Sequence, residues 1–421
     1  TPDSLDNILD KSLTAWEKLY GAEPSERSFS LRFAGIIERA CKQAGQRVVI
    51  LVDEYDKPML QAVGNEELQR QFRNALKPFY GALKTMDGCI KFAFLTGVTK
   101  FGKVSVFSDL NNLDDISMRK DYVELCGVSD RELHDTLDAE LHEFADVRGV
   151  TYDKLCAELK ECYDGYHFTH NSIGMYNPFS LLNAFKYKEF GSYWFETGTP
   201  TYLVSLLKKH HYDLERMAHE ETDAQVLNSI DSESTNPIPV IYQSGYLTIK
   251  GYDEEFGIYR LGFPNREVEE GFVRFMLPYY ANVNKVESPF EIQKFVREVR
   301  SGDYDSFFRR LQSFFADTTY EVIREQELHY ENVLFIVFKL VGFYTKVEYH
   351  TSEGRIDLVL QTDKFIYIME FKLNGSAEEA LRQIKDKHYA LPFATDGRKL
   401  FQIGVNFSAE TRNIEKWIVE A

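Results

Sequence analysis

The sequence predicts an α/β chain in three parts: an N-terminal α/β layer over 1–125, a mainly helical middle over 126–320, and a C-terminal α-β-β-β-α-β block over 321–421. Two observations carry this. The apolar runs Val48–Val52 and Phe92–Leu95 are short, continuous and flanked by helical spacing, the character of strands buried on both faces of a parallel sheet. The last hundred residues alternate helical and period-two patterns in the order α-β-β-β-α-β.

The elements follow in order. Leu5, Ile8, Leu9, Leu13, Trp16 and Leu19, then Leu31, Phe33, Ile36 and Ile37, carry helical spacing, broken by a turn-like stretch from Gly21 to Ser25 that contains Pro24. The Val48 run ends abruptly in Asp53-Glu54-Tyr55-Asp56-Lys57-Pro58, and a helical stretch from Glu66 to Met86 leads to the Phe92 run. From Ser129 to about Ala316 helices dominate, interrupted by aromatic loops at 163–168 and 193–201. Glu327 to Leu340 then reads as helix, Lys346 to His350, Arg355 to Gln361 and Phe365 to Leu373 as strands, Glu378 to Tyr389 as helix, and Phe401 to Asn406 as a final strand.

Composition narrows the class. With 421 residues, 44% apolar and 27% charged, the chain is globular and too long for one ordinary core. Its apolar runs fall far short of a membrane span of roughly 18 residues, and no signal-peptide pattern opens it. The charge balance, 49 − 66 = −17, repels polyanions at long range, so a nucleic-acid site has to be local or metal-assisted. Five scattered cysteines without a Cys-x-x-Cys pair argue against a disulfide framework and against zinc, and point to a reducing cytoplasm.

Chemistry concentrates near the C-terminus. Asp357 lies on one strand, on the face opposite Ile356 and Leu358, and Glu370 and Lys372 share a face of the next, about 7 Å apart along it. If the strands pair as a hairpin, Asp357 lies beside Glu370, and two carboxylates with one ammonium stand at the mouth of a β-layer. That set suits a hard cation, Mg2+ or Mn2+, held by Asp357, Glu370 and the carbonyl of Phe371, with Lys372 orienting the attacking water and stabilising a pentavalent phosphate. Ser376 and Glu379 have the spacing of a capping box, and Gln383 on that helix can reach the same site. The plainer reading leaves Asp357, Glu370 and Lys372 as solvated strand positions on a half-exposed sheet.

Gly354-Arg355-Ile356-Asp357, Glu370-Phe371-Lys372 and the helical Gln383 resemble the PD-(D/E)XK nuclease superfamily over roughly 321–410. The resemblance implies a restriction-endonuclease-like fold, catalytic roles for Asp357, Glu370 and Lys372, an accessory role for Gln383, and an acidic residue on the preceding helix. Glu327 is the candidate, followed by Glu331, with Glu348 a further possible ligand. Against a DNA or RNA substrate stands the charge of 321–390, with 9 Lys plus Arg and 12 Asp plus Glu.

At the N-terminus an apolar run ending in Asp53-Glu54 has the form of a Walker B strand, the Asp holding Mg2+ through water and the Glu polarising the hydrolytic water. It is equally an ordinary acidic helix start. With Phe94-Leu95-Thr96-Gly97-Val98-Thr99-Lys100, Asn111-Asn112-Leu113-Asp114-Asp115, Tyr163-Asp164-Gly165-Tyr166-His167-Phe168, Asn177-Pro178-Phe179-Ser180 and Thr197-Gly198-Thr199-Pro200, it resembles the predicted AAA-ATPase-like family. The resemblance implies a P-loop-type region that binds ATP, with Thr96 at a sensor-like strand end, and a nuclease domain at the C-terminus. The family's phosphate loop belongs before the Asp53 strand and is absent there. The chain begins at Thr1, so an upstream segment is expected to supply that loop in the full-length protein. Gly97 to Lys103 imitates the loop spacing, but it follows the Asp53 strand and has Val104 where Ser or Thr belongs.

The sequence therefore predicts a metal-dependent nuclease gated by an AAA-like region, acting on DNA or RNA, outside membranes, with an oligomer compatible. The rivals are an inactive nucleic-acid-binding or regulatory module, and an ATPase whose C-terminal domain recognises a partner.

Overall fold

A computed structural model describes residues 2–62, 65–100, 106–107, 110–197, 201–228, 236–281, 283–284, 287–315, 323–352, 355–373, 375–408 and 410–421. The chain divides into two compact units. One holds Thr1–Cys126, His167–Ile173 and Glu221–Leu261; the other holds Gly127–Tyr166, Gly174–Glu220 and Gly262–Ala421. Residues 127–320 are thus shared between them.

In the first unit, helices α1 (Pro2–Tyr20), α2 (Phe29–Ala44) and α3 (Glu66–Thr85) bury one apolar stripe each around Leu13, Phe33, Ile37, Phe72 and Leu76. Ser28 caps α2 by accepting from the Leu31 amide at 3.3 Å, and Gly45 ends it at φ +63°, a left-handed turn that suits glycine. Strands β1 (Val48–Val52) and β2 (Ile90–Leu95) pair in parallel, Val49 with Phe92 and Val52 with Leu95.

Burial on both faces of this pair does not hold. Val48, Ile50 and Val52 pack against the helical core, whereas Leu51 is 72% exposed and Val49 and Phe92 are more than half exposed. Among the described residues the sheet has two strands, its helices cover one side and no layer covers the other. A further departure is a three-stranded sheet ordered Glu221–Asp223, Ile258–Gly262, Thr248–Asp253, inside the stretch read as helical. Strands of three to six residues leave too short a period-two signal to compete with their helical surroundings.

Among its described residues the second unit is helical up to helix α4 (Ile323–Gly342), apart from a two-residue ladder of Val128–Ser129 with Met175–Tyr176. Strands β3 (Lys346–Ser352), β4 (Arg355–Gln361) and β5 (Phe365–Leu373), helix α5 (Ala377–Asp386), and strands β6 (Lys399–Ser408) and β7 (Asn413–Glu420) complete it. The sheet order is β7-β6-β5-β4-β3, with β5 and β6 parallel and the other pairs antiparallel. Strand β7 lies beyond the elements read from the sequence.

Alternation divides the sheet's residues. Tyr367, Phe371, Ile403 and Val405 face a helical layer in which Phe308 and Phe338 stand 6.5 and 6.1 Å from the Phe371 ring. On the other face Ile366 and Ile368 pack with Leu381 and Ile384 of α5. Gly404 sits directly beneath that helix, where a Cβ would overlap the Ala377 carbonyl and the Leu381 amide. The missing side chain is what lets α5 lie against the sheet.

Candidate active site

The register of β5 sets the C-terminal geometry. Glu370 stands opposite Asp357 of β4 and beside Gly404 of β6, and Lys372 stands opposite Arg355 and beside Asn406. Glu370 is completely buried, yet Lys372 Nζ lies 3.3 Å from its Oε1. A carboxylate taken out of water needs such a partner, because desolvation alone costs several kcal/mol.

Lys372 is fixed from a second direction. Ser376 accepts from the Glu379 amide and Glu379 Oε2 accepts from the Ser376 amide, both at 3.1 Å, the capping box that the spacing predicts. Helix α5 therefore starts at a defined residue, and Gln383 follows seven residues after the cap, about two turns on. Its Oε1 accepts from Lys372 Nζ at 2.6 Å.

Of the residues singled out in this region, Glu370, Lys372 and Gln383 come together. Asp357 is placed by register, but its side chain lies outside the described residues, as does that of Glu327 on α4. Glu348 is exposed on the edge strand β3, 3.2 Å from Lys346. The Phe371 ring turns into the core on the opposite face, and only its backbone belongs to the site. Among the described residues no three His, Cys, Asp or Glu side chains group as a metal site. The oxygen donors at hand are the Glu370 carboxylate and the Phe371 carbonyl, with Asp357 in register, and such a hard set with few carboxylates fits Mg2+ or Mn2+.

Asn406 was not anticipated. It is 7% exposed, stands beside Lys372, and donates from Nδ2 to Glu415 Oε2 at 2.9 Å. Its one sequence signal is a polar residue interrupting an apolar strand. A cleft of about 470 Å3 lined by Arg300, Tyr344, Lys346, Gln361 and Arg398 lies at the β4–β5 turn, the other end of these strands from Glu370.

In the first unit, Thr96 Oγ1 donates to Asp53 Oδ1 at 2.5 Å across the ends of β2 and β1. Glu54 is turned aside: its backbone is left-handed at φ +54°, and its Oε2 accepts from Lys57 Nζ at 2.6 Å. The buried carboxylate of this motif is Asp56, which accepts from the Val98 and Thr99 amides and the Thr99 hydroxyl at 3.1, 2.6 and 2.8 Å. Gly97 has to be glycine for this clasp, since a Cβ would lie 2.7 Å from the Tyr55 ring. Burial, reinforced by the negative charges of Asp56 and Asp115, pushes the Tyr55 phenol well above its ordinary range. Lys100 donates to Asp115 at 2.8 Å, and 101–105, with the rest of the loop-like spacing, lie outside the described residues.

Comparison with known proteins agrees with both halves. Residues 1–107 match the family described as predicted AAA-ATPase, and residues 325–417 match the PD-(D/E)XK nuclease superfamily. Over 431 aligned positions the chain is 33% identical to the "Uncharacterized protein in vnfD 5'region" of Azotobacter chroococcum mcd 1, an alignment covering 99% of this chain and 80% of that protein. No solved structure matches it. With the similarity spanning almost its whole length, the chain belongs to the predicted AAA-ATPase family and carries a PD-(D/E)XK nuclease superfamily domain at its C-terminus.

Proposed function

We propose that the C-terminal domain hydrolyses phosphodiester bonds in DNA or RNA with Mg2+ or Mn2+. The observation that supports this best is the Lys372 ammonium held 3.3 Å from a fully buried Glu370 that stands in register with Asp357. Asp357, Glu370 and the Phe371 carbonyl would hold the cation, and Glu327 of α4 would add a carboxylate. When bound, such a cation supplies Lewis-acid charge at the phosphate and lowers the pKa of its water. Lys372 orients the attacking water and offsets the charge that develops on the phosphorus oxygens as one P–O bond forms and the bond to the leaving sugar oxygen breaks. Gln383 holds Lys372 in place for that work.

The N-terminal unit, on this proposal, binds ATP, with Asp53 and Thr96 at the nucleotide and Glu54 activating water once released from Lys57, and nucleotide state gates the nuclease in the cytoplasm. The P-loop-type and restriction-endonuclease-like folds are part of the same proposal. All five cysteines are free thiols, in keeping with a reducing compartment. One observation favours a second reading, a catalytically silent regulatory module: acidic residues outnumber basic ones over 321–390, 12 to 9.

Incubation of the chain with Mn2+ and plasmid DNA or single-stranded RNA decides between them. Cleavage abolished by Asp357→Ala and Lys372→Ala is expected; cleavage that survives either substitution removes these residues from the chemistry.

A further inference from the structure

The neighbour of Lys372 on β6 is held in an unusual way. The β6–β7 ladder pairs Asn406 with Lys416 and Phe407 with Ile414, so Glu415 is the extra residue of a β-bulge. Bulges re-aim side chains beside functional sites. Here the bulged Glu415 accepts from Asn406 Nδ2 at 2.9 Å. A carboxylate only accepts, so this contact decides which way the amide points and sends Oδ1 to the other side. Asn406 is only 7% exposed, and its Oδ1 has no hydrogen-bond partner among the described residues. A buried acceptor left open forfeits its hydration without a replacement, an arrangement that calls for an occupant.

The occupant stands next to it. Lys372 is the register partner of Asn406 on the adjoining parallel strand, so both side chains rise from the same face. An ammonium has three N–H donors. Lys372 directs one at Gln383 Oε1 and lies beside Glu370 Oε1, which leaves a third. Lysine side chains rotate among staggered conformers at little cost.

We propose that Asn406 is a positioning residue for Lys372: its Oδ1, aimed by Glu415, is a second acceptor for the ammonium, so that Lys372 is held between Gln383 and Asn406. This rests on the nuclease reading only for its consequence in catalysis; the hydrogen bond itself is a property of the metal-free chain. Isolated strand lysines sweep a wide arc, and two acceptors on separate elements confine that arc to the line between them.

The test uses the full chain labelled with 15N-lysine, reading the hydrogen exchange of the Lys372 ammonium with water by NMR, without metal. Asn406→Leu, which removes the acceptor at similar volume, is expected to raise that exchange by about three-fold or more, and Glu415→Gln, which can donate as well as accept and so frees the amide to flip, by a smaller factor. In Mn2+-dependent cleavage Asn406→Leu is expected to lower kcat by about ten-fold with KM within two-fold. Wild-type exchange in a folded Asn406→Leu chain overturns the proposal. Should that variant not fold, the surface change Glu415→Gln decides alone, and unchanged exchange there overturns it. Absence of cleavage by the wild-type chain removes the nuclease reading while the exchange measurement still settles Asn406.

Discussion

Gln383 holds Lys372 across 11 positions of chain: its Oε1 accepts from the lysine Nζ at 2.6 Å, while the same ammonium stands 3.3 Å from Glu370. The glutamine thus acts on a neighbour's orientation. A hydrogen bond to a charged group is worth about 1.5–3 kcal/mol, and about 1.4 kcal/mol is ten-fold in rate. Gln383→Leu is expected to lower kcat for Mn2+-dependent cleavage by about 10- to 100-fold while leaving the melting temperature within a few degrees. Full activity in that variant would show that Lys372 needs no such support.

On the proposed function divalent metal is expected to stabilise the chain, because a cation that Asp357 and Glu370 would hold binds the folded state alone. At 100 times the dissociation constant the gain is about 2.7 kcal/mol. Thermal scans with and without Mn2+ are expected to show a rise in the wild type and none in Glu370→Gln or Asp357→Asn. An equal rise in all three would place the metal elsewhere.

Gly404→Ala tests how α5 is seated. Its new methyl group meets the backbone of Ala377 and Leu381, which cannot yield as a flexible side chain would. Overpacking of this kind costs about 1–3 kcal/mol. Gly397→Ala is the control, since a Cβ there meets nothing within 4 Å. Urea unfolding is expected to separate the two, with the Gly404 variant also losing the Lys372–Gln383 contact.

Asp56 and Asp53 should part company. Asp56→Ala strands the buried Thr99 amide and hydroxyl and the part-buried Val98 amide and is expected to destabilise by about 2–4 kcal/mol. Asp53 is exposed, with one hydrogen bond from Thr96, so Asp53→Ala is expected to stay within about 1 kcal/mol of wild type in chemical denaturation. Equal losses would make Asp53 a structural residue as well.

His329 on α4 stacks 6.4 Å from Tyr280, and burial, with Lys208 adding a smaller effect, pushes its imidazole down to about 4. The unfolded chain takes up this proton near the ordinary value of about 6.5, while the folded chain resists it until about 4. Stability is therefore whole above the higher value and falls with pH between the two, by up to about 3 kcal/mol from this group. His329→Phe is expected to flatten unfolding free energy against pH in that window; an unchanged slope would assign the acid sensitivity to other groups.

The strands and helices of the C-terminal block were legible because their signals are local. Period-two alternation from Phe365 to Leu373 and the Ser376–Glu379 cap need no partner to be read. At the other end of the chain, the apolar run of Val48–Val52 also announced a strand correctly. It misled about burial, because the number of strands and helices that cover a face is not written in the strand itself, and Leu51 is left 72% exposed. The short strands at 221–223, 248–253 and 258–262 gave too few alternations to be seen.

By itself the sequence determined the order of elements from α4 to β6 and which residue types could do chemistry there, since both follow from periodicity and from side-chain functional groups. Only the tertiary structure decided that Glu370 is buried beside Lys372, that Gln383, on a helix admitted by Gly404, closes on the same ammonium, that Asn406 stands beside Lys372 on the next strand, and that Asp56 rather than Glu54 is the buried acid of its motif. These relationships depend on strand register and on how closely a helix approaches a sheet, distances between residues far apart in the chain that no local pattern encodes.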